Sequence, residues 1–238
     1  VTSTIRVIGR GRAGRSLSIA LGRAGWGLGG VLGREDDVSE AAQGVDLLVI
    51  AVPDDSVATV AASVSPVPTT VIAHLAGSLG LDVLEPHVRR GALHPLASLP
   101  SPEVGAERLR GAWFAIAGDP LVSAVVEALE GRSFEVSDER RAAYHAAAAI
   151  ASNHLVALLA QVERVAEGAD VPFDAYLDLV RATVENVAAL GPADALTGPA
   201  ARGDEATIAR HLAALPEGER ELYEVLAEAC RKLAACKS

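Results

Sequence analysis

The sequence predicts an α/β fold: a doubly wound, mostly parallel sheet, followed by an all-helical C-terminal region. Three observations carry this. Short apolar runs alternate with helix-period stretches as far as residue 136. The first run passes at once into a glycine-rich turn and a helix. From Asp138 onward no strand signal recurs. The expected division is therefore an α/β domain over 1–137 and a helical domain over 138–238.

Ile5-Arg6-Val7-Ile8 reads as the opening strand. Gly9-Arg10-Gly11-Arg12-Ala13-Gly14 fits G-x-G-x-x-G, and residues 16–24 carry Leu17, Ile19, Ala20, Leu21 and Ala24 at helical spacing. Strand, glycine turn and helix in this order form a dinucleotide-binding fingerprint. Gly9 allows the tight turn, Gly11 lets backbone approach a pyrophosphate, and Gly14 lets the helix pack on the strand. The helix N-terminus offers free N–H groups to the phosphates. Residues 26–32 form the second strand, and Arg34 lies twenty residues after Gly14. An acid there would favour NAD; an arginine suits the 2′-phosphate of NADP. Glu35, Asp36 and Asp37 then open the next loop. Arg10 and Arg12 either add charge near the phosphates or are solvated surface residues.

The run VDLLVIAV at 45–52 is apolar throughout, as a central parallel strand covered on both faces should be. Val52 and Pro53 end it, where the chain either passes beside the cofactor or simply caps the helix at 56–63. Further strands are expected at 71–74, 91–94, 113–117 and 134–136, with a helix at 120–129. Beyond them, helices are expected at about 139–168, 173–190, 204–215 and 217–235, broken at Gly168, at Gly191-Pro192 and at Thr197-Gly198-Pro199. Asp204 reads as an N-cap or as part of an anion-binding turn.

Half of the 238 residues are hydrophobic, so a sizeable core is available, and the net charge is −10. That charge speaks against a nucleic-acid or anionic-membrane surface. Cys230 and Cys236 are six apart on an expected helix and form neither a disulfide framework nor a metal motif. With an opening strand in place of a signal peptide, these thiols fit a cytoplasmic protein without metal. The most apolar long segment, 142–159, carries Tyr144, His145, Ser152, Asn153 and His154. So many polar groups suit a buried helix with a functional face better than a membrane span.

Ligands of such sheets bind at the carboxyl ends of the strands. His74, Ser78 and His94 fall there. His94 can exchange a proton with a substrate oxygen, or merely hydrogen-bond backbone at the Pro95 turn. His74 is read as a cofactor neighbour. Tyr144 and Asn153 are the candidate substrate groups of the long helix; a helix–helix or subunit hydrogen bond is the other reading of Asn153.

Taken together, GRGRAG at the start, VPDD after the third strand, His74 with Gly77, ALHPL at 92–96, AYHAAAAIASN at 143–153 and ALTGPAARGD at 195–204 resemble the Rossmann-like proteins bearing domain of unknown function 2520. The resemblance spans nearly the whole chain. It implies an NADP-binding Rossmann domain, a helical domain that often dimerises, and kinship in build with ketopantoate and pyrroline-carboxylate reductases. Two departures stand out. The family's His-x-Ser-Gly is His74-Leu75-Ala76-Gly77 here, without the hydroxyl at 76. The lysine acid of ketopantoate-reductase-like enzymes has no counterpart, because the only lysines are Lys232 and Lys237. The expectation is an NADP-dependent oxidoreductase reducing a small carbonyl or imine, such as a ketopantoate-like keto acid, with His94, Tyr144 or water as proton source. A non-catalytic NADP-binding or regulatory protein on the same fold is the other reading.

Overall fold

The computed structural model describes residues 2–236, so Lys237 lies outside the described residues. The chain forms two compact units, one ending at Ser152 and the other beginning at Asn153.

The first unit is built on seven strands: β1 (Thr4–Ile8), β2 (Gly27–Leu32), β3 (Leu47–Ile50), β4 (Val71–His74), β5 (Arg90–Pro95), β6 (Trp113–Gly118) and β7 (Arg132–Glu135). Their order is β2-β1-β3-β4-β5-β6-β7. All neighbours are parallel except β5 and β6, which pair antiparallel. Helices α1 (Arg12–Arg23), α2 (Val57–Ser63), α3 (Pro102–Leu109), α4 (Leu121–Ala128) and α5 (Asp138–Ala149) complete the unit. Side chains alternate across the sheet. Leu47, Val49, Val71 and Ala73 join the core under α1, α3 and α4. Leu48, Ile50 and Ile72 join a second core with Val57 and Ala61 of α2. Both faces of β3 and β4 are therefore covered, which is why these strands read as unbroken apolar runs.

The sequence reading contains no helix between the strands at 91–94 and 113–117 to match the next element. Between Pro95 and Trp113 the structure places α3, capped by the Ser101 hydroxyl, which accepts from the Val104 N–H, with Pro102 at its first position. The glycine of this helix, Gly105, packs against Ser16 of α1 so closely that a Cβ would collide with the Ser16 hydroxyl.

The long helix expected at 139–168 is three pieces: α5, a π turn at Ile150–His154, and α6 (Leu155–Gly168). The expectation that its apolar middle is buried is corrected. Within 142–159 no residue is fully buried, and Ile150 and Val156 are 58% and 68% exposed. Apolar residues surround this helix, and a single chain does not cover them all. By length and composition, Asp138–Gly168 is the one described stretch apolar enough to cross a membrane.

The second unit contains α6, α7 (Asp174–Leu190), two single-turn helices α8 (Pro192–Ala195) and α9 (Pro199–Arg202), then α10 (Glu205–Ala214) and α11 (Glu217–Ala235). Asp204 is the N-cap of α10, its carboxylate accepting from the Thr207 N–H and hydroxyl at 3.0 and 2.7 Å. Arg164 of α6 grips Glu219 of α11 through two hydrogen bonds, and Arg231 does the same to Glu205.

Candidate active site

The glycine turn lies between the ends of β1 and β3, where the strand order reverses direction. This is the crevice at which open α/β sheets bind ligands. Gly9 has φ +128°, and a Cβ there would collide with the Ala51 carbonyl oxygen; a Cβ on Gly14 would collide with the Gly9 carbonyl. Nothing lies within 4 Å of a Cβ built on Gly11. The turn thus has two positions closed to any side chain and one open face. Gly11 is also the N-cap of α1, and no side chain caps it. No acid stands in the first turn of that helix, where Arg12 and Ala13 follow. The N-terminal N–H groups and the helix dipole remain available to an anion.

Arg34 is exposed in the turn two residues beyond β2. Asp36 does not simply open the next loop. Its carboxylate turns back, accepts from the Gly33 N–H at 2.6 Å and pairs with Arg10 at 2.9 Å. Arg10 is thereby held at the end of β2, beside the backbone that leads to Arg34.

Val52 and Pro53 follow β3, and Pro53 opens a short 3-10 turn, Asp54–Ser56. The Asp54 carboxylate does not cap a helix; it accepts the Ser78 hydroxyl at 2.9 Å and ties the end of β3 to the segment after β4.

Three aromatic and imidazole side chains, His94, Tyr144 and His145, meet at the end of β5, the strand next to β4. His74 ends β4, level with Ile50 and Ala92 in the register. It is fully buried, and its Nε2 donates to the Gly80 carbonyl at 3.2 Å. A carbonyl only accepts, so Nε2 holds the proton and Nδ1 is a lone-pair acceptor. That Nδ1 is buried without a hydrogen-bond partner. Burial holds His74 below the ordinary histidine range.

His94, near the end of β5, is half-buried. Its Nδ1 lies 2.5 Å from the Tyr144 hydroxyl of α5, a side-chain partner rather than the backbone one of the alternative reading. The His94 ring also stands edge-on to His145, centroids 5.6 Å apart. Gly77 packs against both imidazoles: a Cβ there would come within 2.6 Å of His145 and 3.0 Å of His94 Nε2. Burial, helped by the neighbouring His145, pushes His94 down to about 4. Burial pushes Tyr144 up to about 12. At neutral pH both groups are uncharged. His94 is therefore a neutral, hydrogen-bonded imidazole rather than a standing imidazolium.

Ala76, at the position where a hydroxyl was missed in the sequence, is itself buried. Ser78 has its hydroxyl on Asp54 and does not stand in for it. Asn153 lies in the π turn and opens the second unit. Sequence reasoning missed Arg141, a fully buried arginine one turn before Tyr144. Its place in a charged run, Asp138-Glu139-Arg140-Arg141, reads as a solvated helix start. Among the described residues no cluster of His, Cys, Asp and Glu could hold a metal ion.

Comparison with known proteins bears out the resemblance. Residues 114–230 match the family model of a domain of unknown function, DUF2520, and residues 33–100 match a Rossmann-like domain. No curated protein matches the chain. Among solved structures, a candidate NADP oxidoreductase from Bacteroides fragilis is similar with a TM-score of 0.80 at 24% identity, over 97% of this chain and 98% of that one. The Thermotoga maritima protein TM1727 is similar with a TM-score of 0.73 at 23% identity, over 97% and 98%. A reductive aminase from Aspergillus terreus, solved with NADPH and ethyl levulinate, has a TM-score of 0.73 at 13% identity, over 99% and 98%. The fold is the one these structures share.

Proposed function

We propose that the chain is an NADP-dependent reductase of a small carbonyl or imine compound. The observation that carries this is the hydrogen-bonded His94–Tyr144 pair at the carboxyl end of the sheet that bears the glycine turn. The residues present fit the cofactor. Gly9 and Gly14 keep the turn tight, and Gly11 with Arg12 and Ala13 offers an open helix start to a pyrophosphate. Arg34, with Arg10 beside it, suits a 2′-phosphate. Val52 and Pro53 edge the crevice, and His74 offers its buried Nδ1 as an acceptor. The bound cofactor would supply the hydride.

The chain's own residues manage the proton. His94 Nε2–H, with Tyr144 donating to Nδ1, polarises the substrate oxygen or nitrogen. As negative charge develops there, the Nε2 proton passes to it and the Tyr144 proton passes to Nδ1. The phenolate left behind is a weaker base than an alkoxide and regains its proton from solvent. No lysine is needed in this scheme, which suits a chain whose lysines are confined to its last seven residues.

Calorimetric titration with NADPH and NADH tests the cofactor, with tighter NADPH binding expected and a smaller gap in Arg34→Ala. A panel of carbonyls and preformed imines, followed by NADPH absorbance, tests the reaction. Binding of NADPH without turnover of any panel member would favour the non-catalytic reading, to which Ala76 already lends weight. Equal affinity for the two cofactors would remove the argument from Arg34.

A further inference from the structure

We propose that Arg141 binds an anionic group of the substrate, a carboxylate, so that the compound reduced carries an acid function beside its carbonyl or imine. This rests on the reductase reading of the His94–Tyr144 pair. The Arg141 side chain is fully buried. Its Nε donates to Asp138 at 3.2 Å, and that is its one hydrogen bond among the described residues. Nη1 and Nη2 are buried without partners, which leaves four N–H donors of a charged group unused.

The other well-anchored arginines of this unit behave differently. Arg6 places its donors on the carbonyls of Gly29, Ala41 and Gln43. Arg89 places its donors on Asp119 and the Thr69 carbonyl. An arginine that serves only to tie elements together spends its donors in this way. A buried charge is costly unless paired. Asp138 is a weak partner, bonded at one nitrogen and half exposed.

The position of Arg141 points to the substrate. Arg141 precedes Tyr144 and His145 by three and four residues on α5, the spacing of one helix face. Its charge acts on both His74 and His94. These residues lie at the ends of β4 and β5, whereas the glycine turn lies at the end of β1. The planar guanidinium matches a carboxylate through two parallel hydrogen bonds. It also sits in the first turn of α5, whose dipole favours an anion. Asp138, which holds Nε, is half exposed, so the guanidinium's one partner reaches solvent.

The test uses the full chain and two probe pairs, 2-oxobutyrate and 2-oxoisovalerate against their methyl esters. Binding is measured by calorimetry with and without NADPH. The wild type should bind the acids at least about tenfold more tightly than the esters. Arg141→Met should lose that preference while keeping its NADPH affinity. Its melting temperature should hold or rise, because an unpaired buried charge is gone. Should Arg141→Met fail to fold, Arg141→Lys decides, with a reduced preference expected from the lost fork. Acids and esters binding alike, no acid binding, or an acid preference that survives substitution overturns the proposal. So does loss of NADPH affinity in Arg141→Met, which would give the guanidinium to the cofactor's phosphate. Arg141-dependent acid binding in a protein that does not bind NADPH would instead overturn the reductase reading and leave the carboxylate site standing.

Discussion

Burial decides the protonation of the two groups that meet beyond β5. With His94 held to about 4 and Tyr144 raised to about 12, the pair is neutral across the range between. A relay through this pair predicts a kcat/KM profile that is flat across neutral pH and falls in acid as His94 gains a proton. A decline between pH 6 and 8 would instead mean an imidazolium acid with a value near 6.5. Stability follows the same sign. Between the ordinary value of 6.5 and the folded value of about 4, the unfolded chain binds the extra proton. Unfolding free energy therefore rises with pH across that window. The contribution is present above it and is lost as pH falls through it. His74, also held low, acts in the same direction. Urea midpoints measured down that range should fall, and more gently in His94→Gln. His94 and Tyr144 were legible in the sequence because a histidine at a strand end and a tyrosine in an alanine-rich helix are both out of place in a plain core. The bond between them was not, since it joins residues 50 apart. Arg141 was hidden for the opposite reason: a charge at a helix start looks solvated until the packing around it is known.

Elements whose burial matches their sequence period were legible, and elements stabilised by a single close approach were not. β3 and β4 are covered on both faces, so composition alone marks them. Helix α3 is short and depends on fitting Gly105 against Ser16, a contact 89 residues apart that no local pattern announces. Gly105→Ala should therefore destabilise the protein by about 1–3 kcal/mol, read as a lower denaturation midpoint. An unchanged midpoint would mean that α1 and α3 separate freely. The glycine turn gives the matching prediction for ligand binding. Gly9→Ala forces both a collision with Ala51 and a strained φ, so it should lower NADPH affinity well beyond any loss of stability. The π turn at Ile150–His154 is a further feature that the apolar pattern gave no sign of. Its i→i+5 bonding leaves composition unaltered, so no local pattern marks it.

At the scale of the whole molecule, the exposed apolar surface of the helical unit is the feature that one chain leaves unexplained. Helix α7 spans 17 residues and none is buried. Leu179, Val184 and Leu190 are 63%, 54% and 59% exposed. A hollow of about 710 Å³ in the same unit is lined by Leu158, Val162, Val165, Tyr176 and Leu226 among others. Contiguous apolar surface of this kind marks an interaction site, and most soluble oligomers are symmetric dimers. We expect light scattering at micromolar concentration to give a dimer, and Leu179→Glu with Val184→Glu to shift it to monomer. A monomeric wild type would contradict this. The change from alternating strands to helices was plain in the sequence. How far that apolar surface stays uncovered within one chain was not, because composition marks a helix as apolar without saying what lies against it.

The measurement closest to the central claim compares the wild type with His94→Ala on a substrate found by the NADPH screen. The two proteins should bind NADPH with the same affinity. Turnover should fall by about 10²–10⁴ in the variant, the usual contribution of a positioned proton-transfer group. Undiminished turnover in His94→Ala would contradict the account, and so would a wild type that oxidises NADPH with no carbonyl or imine at all.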